Sequence, residues 1–172
     1  MKTVFLDRDG VINKRLIGDY VKRIEEFEFL DGVLDAIKLL KEHNYRIIII
    51  TNQQGIGKKL MSEEDLNKIH SFMIKEIEKN GGKVDKIYYC PHLENENCNC
   101  RKPKPGMIEQ ALKDYPDINK ENTFMIGDTE SDVKLAKNAG LRSIIIGEEA
   151  DPDFRFKSLL EAAMFLVREE KW

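Results

Sequence analysis

Strand-sized apolar runs that end in polar segments place the strongest constraint on the fold of this chain of 172 residues. Most of the stretches between the runs repeat apolar residues at helical spacing. The four consecutive isoleucines at 47–50 indicate a strand that is buried on both faces. Strands that alternate with helices predict a Rossmann-like α/β/α sandwich around a parallel sheet of about five strands. The predicted strands are residues 4–6, 45–50, 84–90, 123–126 and 143–146.

Capping residues predict where the helices begin and end. Asp31 is the predicted N-cap of the first helix. Ser62 and Asp65 have the spacing of a capping box, which starts a helix that runs to about residue 79. A closing helix is predicted from about residue 156 to residue 169. Residues 14–28 lack helical periodicity, so we expect them to form a loop over one edge of the sheet.

Size and charge exclude several classes of function. A chain of 172 residues that is 41% hydrophobic predicts one domain, residues 1–172, with a substantial core. The net charge of -3 gives no general attraction to nucleic acid or to an anionic membrane. The apolar runs are too short to span a bilayer, and no signal-peptide pattern precedes the first strand. We therefore expect a cytoplasmic protein without nucleic-acid or membrane partners.

Two carboxylates stand one residue apart where the first predicted strand ends. If the chain stays extended there, Asp7 and Asp9 lie on the same side of the strand. Carboxylates this close repel each other unless a cation or a shared proton joins them, and magnesium is a hard ion that prefers oxygen ligands. An Asp-rich turn without a ligand is the alternative interpretation. Ligands of parallel sheets bind beyond the carboxyl ends of the strands, so we expect a site at this edge.

The polar segments at this edge together hold the residue types that phosphoryl transfer requires. Asp7 can attack phosphorus and form an aspartyl-phosphate. Asp9 can protonate the leaving oxygen and then deprotonate the attacking water. Thr51 and Lys102 are candidates for holding the phosphoryl oxygens, where electrostatic stabilisation has its largest effect. Asp128 would complete the magnesium site.

The three cysteines of the chain are clustered in one of these segments. Cys90-x-His92 and Cys98-x-Cys100 supply three thiolates and an imidazole, the ligand set of a tetrahedral zinc site at residues 90–100. An odd number of clustered cysteines fits a metal site better than a disulfide framework. Reduced thiols without a metal are the alternative. Four protein ligands leave no open position, so we expect structural rather than catalytic zinc.

These motifs resemble, in their order along the chain, those of the haloacid dehalogenase superfamily of phosphatases. The matches are Asp7-Arg8-Asp9-Gly10-Val11, Thr51-Asn52-Gln53, Cys100-Arg101-Lys102-Pro103, and Gly127-Asp128 followed by Asp132. Within the superfamily, the chain most resembles the D-glycero-D-manno-heptose 1,7-bisphosphate 7-phosphatases, from about residue 2 to residue 147. The more specific likenesses lie at residues 27–33, 55–56 and 88–92.

The resemblance implies magnesium-dependent hydrolysis of a small phosphorylated substrate, the 7-phosphate of a heptose bisphosphate. It implies Asp7 as the nucleophile and Asp9 as the acid/base. Magnesium would be held by Asp7, the carbonyl oxygen of Asp9, and Asp128. Thr51 and Lys102 would hold the transferred phosphate, and the loop of cysteines would bind structural zinc. The residues expected near the substrate are Arg8, Asn52, Gln53, Gln54, Arg101 and Thr129.

Two departures from the family pattern leave the substrate open. Thr129 stands where the heptose enzymes often have a basic residue that helps to hold the substrate. The cysteine loop is short, as in the related histidinol-phosphate phosphatases, so histidinol phosphate is the alternative substrate. A second alternative is a non-catalytic, zinc-stabilised module that binds a phosphorylated sugar. The Asp7 and Asp9 pair argues against this module, because a binding protein needs neither a nucleophile nor an acid.

No large cap insertion separates the motifs, so we expect an open site in a monomeric protein. His43 and His70 fall in predicted helices without a partner motif, and we predict surface or half-buried positions for both. The sequence assigns no role to Trp172.

Overall fold

One parallel sheet of six strands organises the computed structural model, which describes residues 1–169. The strands are β1 (Lys2–Leu6), β2 (Tyr45–Asn52), β3 (Lys86–Cys90), β4 (Phe124–Gly127), β5 (Arg142–Ile146) and β6 (Phe154–Phe156). Their order across the sheet is β3-β2-β1-β4-β5-β6. The first strand therefore lies between β2 and β4, and its carboxyl end is flanked by the ends of both neighbours. Trp172 lies outside the described residues.

Helices cover both faces of the sheet, which confirms the predicted α/β/α sandwich. The helices are α1 (Val33–Glu42), α2 (Gln54–Gly57), α3 (Glu63–Lys79), α4 (Gly106–Asp114), α5 (Glu130–Ala139) and α6 (Leu159–Arg168). Val4 and Leu6 pack on one face, where they join the core formed with α1, α3 and α6. Phe5 points to the other face and packs with α4 and α5, as the alternation of side chains along a strand requires. None of the helices described in residues 1–169 is long and apolar enough to cross a membrane.

The isoleucine run in β2 is buried on both faces, as its sequence predicts. Ile47 and Ile49 belong to the core on the face of α1, and Ile48 and Ile50 belong to the core on the opposite face. Each fully buried isoleucine contributes about 1.5–3 kcal/mol relative to an exposed one. The strand continues to Asn52, so the polar residues that follow the isoleucines still lie on a rigid element.

Two expectations at the ends of elements are wrong. The prediction of a closing helix from residue 156 misses β6, which has only three residues and is too short to show a periodic pattern. Helix α6 begins after Ser158, whose hydroxyl accepts a hydrogen bond from the backbone N–H of Glu161. The N-cap of α1 is Gly32 rather than Asp31, and its φ of 77° is a left-handed conformation that glycine adopts readily. The capping box of α3 is confirmed.

Candidate active site

The carboxyl ends of the central strands bring the predicted phosphoryl-transfer residues together. Asp7 directly follows β1 and is only 4% exposed. Lys102 reaches it from the loop after β3, with its Nζ 3.0 Å from Asp7 Oδ1 and 2.9 Å from Asp132 Oδ1. Asp128 follows β4, and carboxylate oxygens of Asp7, Asp128 and Asp132 all lie within 4.8 Å of one another. The fold thus joins one ammonium group and three carboxylates at one point.

Two glycines make room for these carboxylates. Gly10 has a φ of +87°, and a Cβ at this position would lie 1.9 Å from Asp128 Oδ2. A side chain here would therefore be strained by its backbone and would also collide with the carboxylate. A Cβ on Gly127 would lie 2.2 Å from the carboxyl carbon of Asp132. Both motif glycines are required by the close approach of an aspartate.

The charge of the proposed nucleophile depends on its neighbours. Burial raises the pKa of Asp7; Lys102 opposes this shift, and the carboxylates of Asp132 and Asp128 add to it. Burial also acts against the charge of Lys102, but Asp132 and Asp7 outweigh it and raise the pKa of Lys102 above its ordinary value. Lys102 therefore remains a cation. Because a nucleophilic carboxylate must be ionised, a second cation beside Asp7 would favour the reactive form.

Three donors hold the carboxylate of Asp9. Arg8 Nη2 and Asn13 Nδ2 donate to Oδ1 at 2.8 and 2.9 Å, and Gln53 Nε2 donates to Oδ2 at 3.0 Å. Burial alone would raise the pKa of Asp9. The Arg8 charge and these hydrogen bonds outweigh burial and hold that pKa below its ordinary value. Asp9 is therefore ionised in the free protein and fixed in orientation.

Arg8 and Gln53 are buried and do not line the cavity, so their contacts with substrate stay predictions. Arg8 is fully buried, and its Nη1 donates to Nε2 of His70 at 3.1 Å. His70 is only 6% exposed, so the prediction that it lies at the surface or is half-buried is wrong. Burial and the Arg8 charge lower the pKa of His70 to about 3, so the imidazole is neutral and accepts this hydrogen bond. His70 thus holds Arg8, which in turn holds Asp9.

The end of β2 joins the site to the loop that carries Lys102. Asn52 Oδ1 accepts a hydrogen bond from the backbone N–H of Lys102 at 3.0 Å. Thr51 is buried, and its hydroxyl accepts a hydrogen bond from Gln53 Nε2 at 2.9 Å. Its contact with the transferred phosphate therefore stays a prediction.

A cavity of about 480 Å³ opens over Asp7 and Asp9. Residues 15–21 form one wall, so the irregular segment predicted to cover this edge of the sheet does so. Lys58, which the sequence analysis did not single out, also lines the cavity. Together with the other cationic side chains that line the cavity, Lys58 makes the cavity suitable for an anionic ligand. Of the residues predicted to lie near the substrate, the cavity is lined by Asn52, Gln54, Arg101 and Thr129.

Arg15 is a second residue of the site that the sequence analysis did not identify. Its guanidinium pairs with Asp128 through Nε to Oδ2 at 3.1 Å and Nη2 to Oδ1 at 2.9 Å. The same Nη2 lies 3.3 Å from the carbonyl oxygen of Asp9 and 4.0 Å from Asp7 Oδ2. These three residues supply the oxygens expected to hold magnesium. These oxygens are hard ligands, and the Arg15 guanidinium already lies among them, so the three residues fit a divalent cation.

The predicted zinc ligands also converge. Sulfur atoms of Cys90, Cys98 and Cys100 and a ring nitrogen of His92 all lie within 4.8 Å of one another. His92 Nδ1 is 3.4 Å from Cys90 Sγ and 3.2 Å from Cys100 Sγ. A disulfide between Cys90 and Cys100, whose sulfur atoms are neighbours, would leave the other two residues without a role. A tetrahedral zinc ion would use all four.

The loop of cysteines is tied directly to the active site. The backbone N–H of Gln53 donates to the carbonyl oxygen of Cys90 at 2.7 Å. The backbone N–H of Glu94 donates to Gln54 Oε1 at 3.0 Å. Lys104 Nζ donates to the carbonyl oxygen of Cys98 at 2.7 Å. Order in this loop therefore fixes the segment that presents Arg101 and Lys102.

Comparisons with known proteins agree with this geometry. Residues 99–161 match the family model described as "HAD-hyrolase-like". A protein of Campylobacter jejuni, named D-glycero-alpha-D-manno-heptose-1,7-bisphosphate 7-phosphatase, is 42% identical over 98% of each chain. A protein of Neisseria meningitidis, named as the beta-heptose enzyme, is 36% identical over 85% of this chain and 77% of its own length.

A solved structure supports the same relationship. It is the crystal structure of D,D-heptose 1,7-bisphosphate phosphatase from B. bronchiseptica, complexed with magnesium and phosphate. The two structures match with a TM-score of 0.92 and 32% identity, over 98% of this chain and 99% of the other.

Proposed function

Because the chain belongs to the haloacid dehalogenase (HAD) family of phosphatases, we propose that it hydrolyses the 7-phosphate of D-glycero-D-manno-heptose 1,7-bisphosphate with magnesium. The observation that carries this proposal is that Asp7, Asp9 and Lys102 line one cavity suited to anions, with the Asp128 carboxylate beside that of Asp7. Relatives that are 36–42% identical over most of their length carry the name of this activity. The reaction then follows from the positions of the side chains.

Asp7 and Asp9 divide the first half of the reaction between them. A carboxylate oxygen of Asp7 attacks phosphorus, and the bond between phosphorus and the sugar oxygen breaks. Asp9 gives a proton to that oxygen, which leaves as an alcohol. The free protein holds Asp9 ionised, and the approach of a doubly negative phosphate raises its pKa by repulsion, so Asp9 takes up the required proton.

The second half of the reaction returns Asp7 to its starting state. Asp9, now ionised, removes a proton from water as the water oxygen attacks phosphorus. The bond between phosphorus and Asp7 breaks, and inorganic phosphate leaves. Lys102 offsets negative charge on Asp7 throughout. Magnesium bound by Asp7, the Asp9 carbonyl oxygen and Asp128 would add positive charge against the phosphoryl oxygens.

Zinc at the cysteine loop has a structural role in this proposal. The four ligand atoms leave no open coordination position, and the loop connects to Gln53 and Gln54 at the site. Native mass spectrometry should find one tightly bound zinc ion, and Cys98→Ser should weaken the binding of that ion. A folded and active protein without zinc would contradict this part of the proposal. The expectation of a monomer stays a prediction that sedimentation velocity tests.

The decisive test of substrate is phosphate release from the α and β anomers of the heptose bisphosphate, beside histidinol phosphate, at equal concentrations with magnesium. We expect kcat/KM for one heptose anomer to exceed that for histidinol phosphate by about tenfold or more. The Asp7→Asn variant serves as the blank for contaminating phosphatases. A preference for histidinol phosphate would contradict the proposed substrate. Slow release from all three would also contradict it, while leaving the reaction type in place.

A further inference from the structure

Arg15 occupies a position that the proposed reaction does not explain. Its guanidinium makes a two-bond pair with Asp128 and also approaches the carbonyl oxygen of Asp9. The side chain of Arg15 is 45% exposed and that of Asp128 is 15% exposed. Arg15 therefore lies at the mouth of the site, where solvent weakens its ion pair with the less exposed Asp128.

The oxygens that Arg15 contacts are those that a metal ion at this site would need. The guanidinium hydrogen-bonds to both carboxylate oxygens of Asp128, and a divalent cation bound to either oxygen would repel it and compete for the same lone pairs. Binding of one therefore weakens binding of the other. The planar guanidinium fork matches a carboxylate with two parallel hydrogen bonds, which a simple ammonium group cannot do.

The cavity gives Arg15 a second place to bind. Arg15 lines the same cavity as Arg101 and Thr129, over Asp7. Thr129 is uncharged, and its hydroxyl already donates to Asp132 Oδ2 at 3.2 Å. A guanidinium released from Asp128 would bring positive charge to this edge of the cavity, where the substrate carries phosphate.

We propose that Arg15 is a resident counter-ion of the metal site: magnesium displaces its guanidinium from Asp128, and the displaced guanidinium then binds the anionic substrate. The inference rests on the proposed magnesium-dependent function. It makes Arg15 a residue that lowers affinity for the metal and raises affinity for the substrate. A residue that merely supports the fold would change both affinities in the same direction.

Calorimetric titration of magnesium into the substrate-free protein tests the metal half directly. Arg15→Gln removes the charge and should lower the Kd for magnesium by about three- to tenfold, because the competing ion pair is gone. Arg15→Lys keeps the charge but loses the two-bond fork, so its Kd should fall between those of the wild type and Arg15→Gln.

Lys58→Gln is the matched control, because it removes one positive charge from the same cavity at a residue outside the Asp128 pair. Its Kd for magnesium should stay within about twofold of the wild-type value. If Lys58→Gln tightens magnesium as much as Arg15→Gln does, general charge repulsion explains the effect and the proposal is overturned. Equal Kd values for the wild type and Arg15→Gln also overturn it, while the proposed function stands. If the wild type binds magnesium no better than Asp128→Asn, the proposed metal site itself fails.

Steady-state kinetics at saturating magnesium test the substrate half. Arg15→Gln should raise KM for the heptose bisphosphate by about tenfold and change kcat by less than about twofold, because a contact made equally in the ground state and the transition state affects binding and not the chemical step. An unchanged KM, or a fall in kcat without a rise in KM, would overturn this half.

Discussion

The floor and the rim of the cavity use the same residue types, but the arginines of the two regions differ in their exposure to solvent. We call Asp7, Asp9 and Lys102, with Arg8 and His70 buried behind Asp9, the floor, and we call Arg15, Lys58 and Arg101, with the Asp128 that Arg15 contacts, the rim. Arg8 and Arg15 each pair with an aspartate, at 2.8 and 2.9 Å respectively. The Arg8 side chain is 0% exposed, whereas the Arg15 side chain is 45% exposed. Breaking a buried pair leaves an uncompensated charge, whereas an exposed pair contributes about 0–1 kcal/mol. The floor can therefore fix the geometry of the chemistry, while the rim can exchange partners.

The largest expected effect comes from the nucleophile on the floor. Asp7→Asn replaces the attacking carboxylate by an amide of the same shape, so kcat should fall by about 10,000-fold or more. Circular dichroism and thermal unfolding should show a folded variant. A phosphatase rate close to wild type would contradict covalent catalysis by Asp7.

Loss of the buried cation should damage both chemistry and stability. Lys102→Met leaves Asp7 and Asp132 without their shared partner, so we expect kcat/KM to fall by about 100- to 1,000-fold and stability by about 3 kcal/mol. Steady-state kinetics and urea unfolding measure the two effects. Arg101→Gln is the rim control and should keep its stability within about 0.5 kcal/mol. Equal stability of the two variants would remove the distinction between floor and rim.

A smaller effect should follow at His70, which acts on Asp9 only through Arg8. His70→Leu removes the acceptor of Arg8 Nη1, so kcat should fall by about tenfold as Asp9 loses its fixed orientation. His70→Gln can place an amide oxygen near Nε2 and should recover most of the rate. An equal loss of kcat in both variants would show that the packing of His70, and not its hydrogen bond with Arg8, determines the effect on kcat.

The same histidine should make stability depend on pH. The pKa of His70 in the folded protein, about 3, lies below its unfolded value, so folding excludes a proton that the unfolded chain binds. The stability from this neutral histidine is complete above a pH of about 6.5 and is lost as pH falls towards about 3. Relative to His70→Gln, the wild type should lose roughly 2 kcal/mol between pH 7 and pH 5 in urea unfolding. Equal losses of stability in the wild type and His70→Gln would contradict a buried neutral imidazole at His70.

The smallest effect is expected on the rim. Lys58 lines the cavity, with its Nζ 5.2 Å from the centre of the Tyr20 ring. Lys58→Gln should raise KM by about threefold without changing kcat or stability, and the difference should shrink at high salt. Kinetics at two ionic strengths measure this. A loss of kcat would mean that Lys58 takes part in the chemical step.

Sequence alone predicted the parts of the molecule that depend on local pattern. The isoleucines at 47–50 indicated a doubly covered strand, and the structure buries them on both faces. The spacing of Asp7 and Asp9 after an apolar run, together with the later motifs, placed the acidic site at the carboxyl edge of the sheet. Each of these inferences needs only strand alternation and the rule for parallel sheets.

The partners of Arg8 and Arg15 could not be predicted in this way, because they are set by tertiary contacts. His70 is 62 residues from Arg8 along the chain, and its helical position looks like that of any half-buried residue. Arg15 is 113 residues from Asp128, in a segment without periodicity. β6 was missed for a different reason, since three residues at the edge of a sheet carry no pattern.

The measurement that tests the central claim most directly follows both phosphates of the heptose bisphosphate by ³¹P NMR, with magnesium, in the presence of the wild type or Asp7→Asn. We predict that the wild type converts the 7-phosphate signal into inorganic phosphate while the 1-phosphate signal persists, and that Asp7→Asn leaves both signals unchanged. Loss of the 1-phosphate, or equal turnover by Asp7→Asn, would contradict transfer of the 7-phosphate to Asp7.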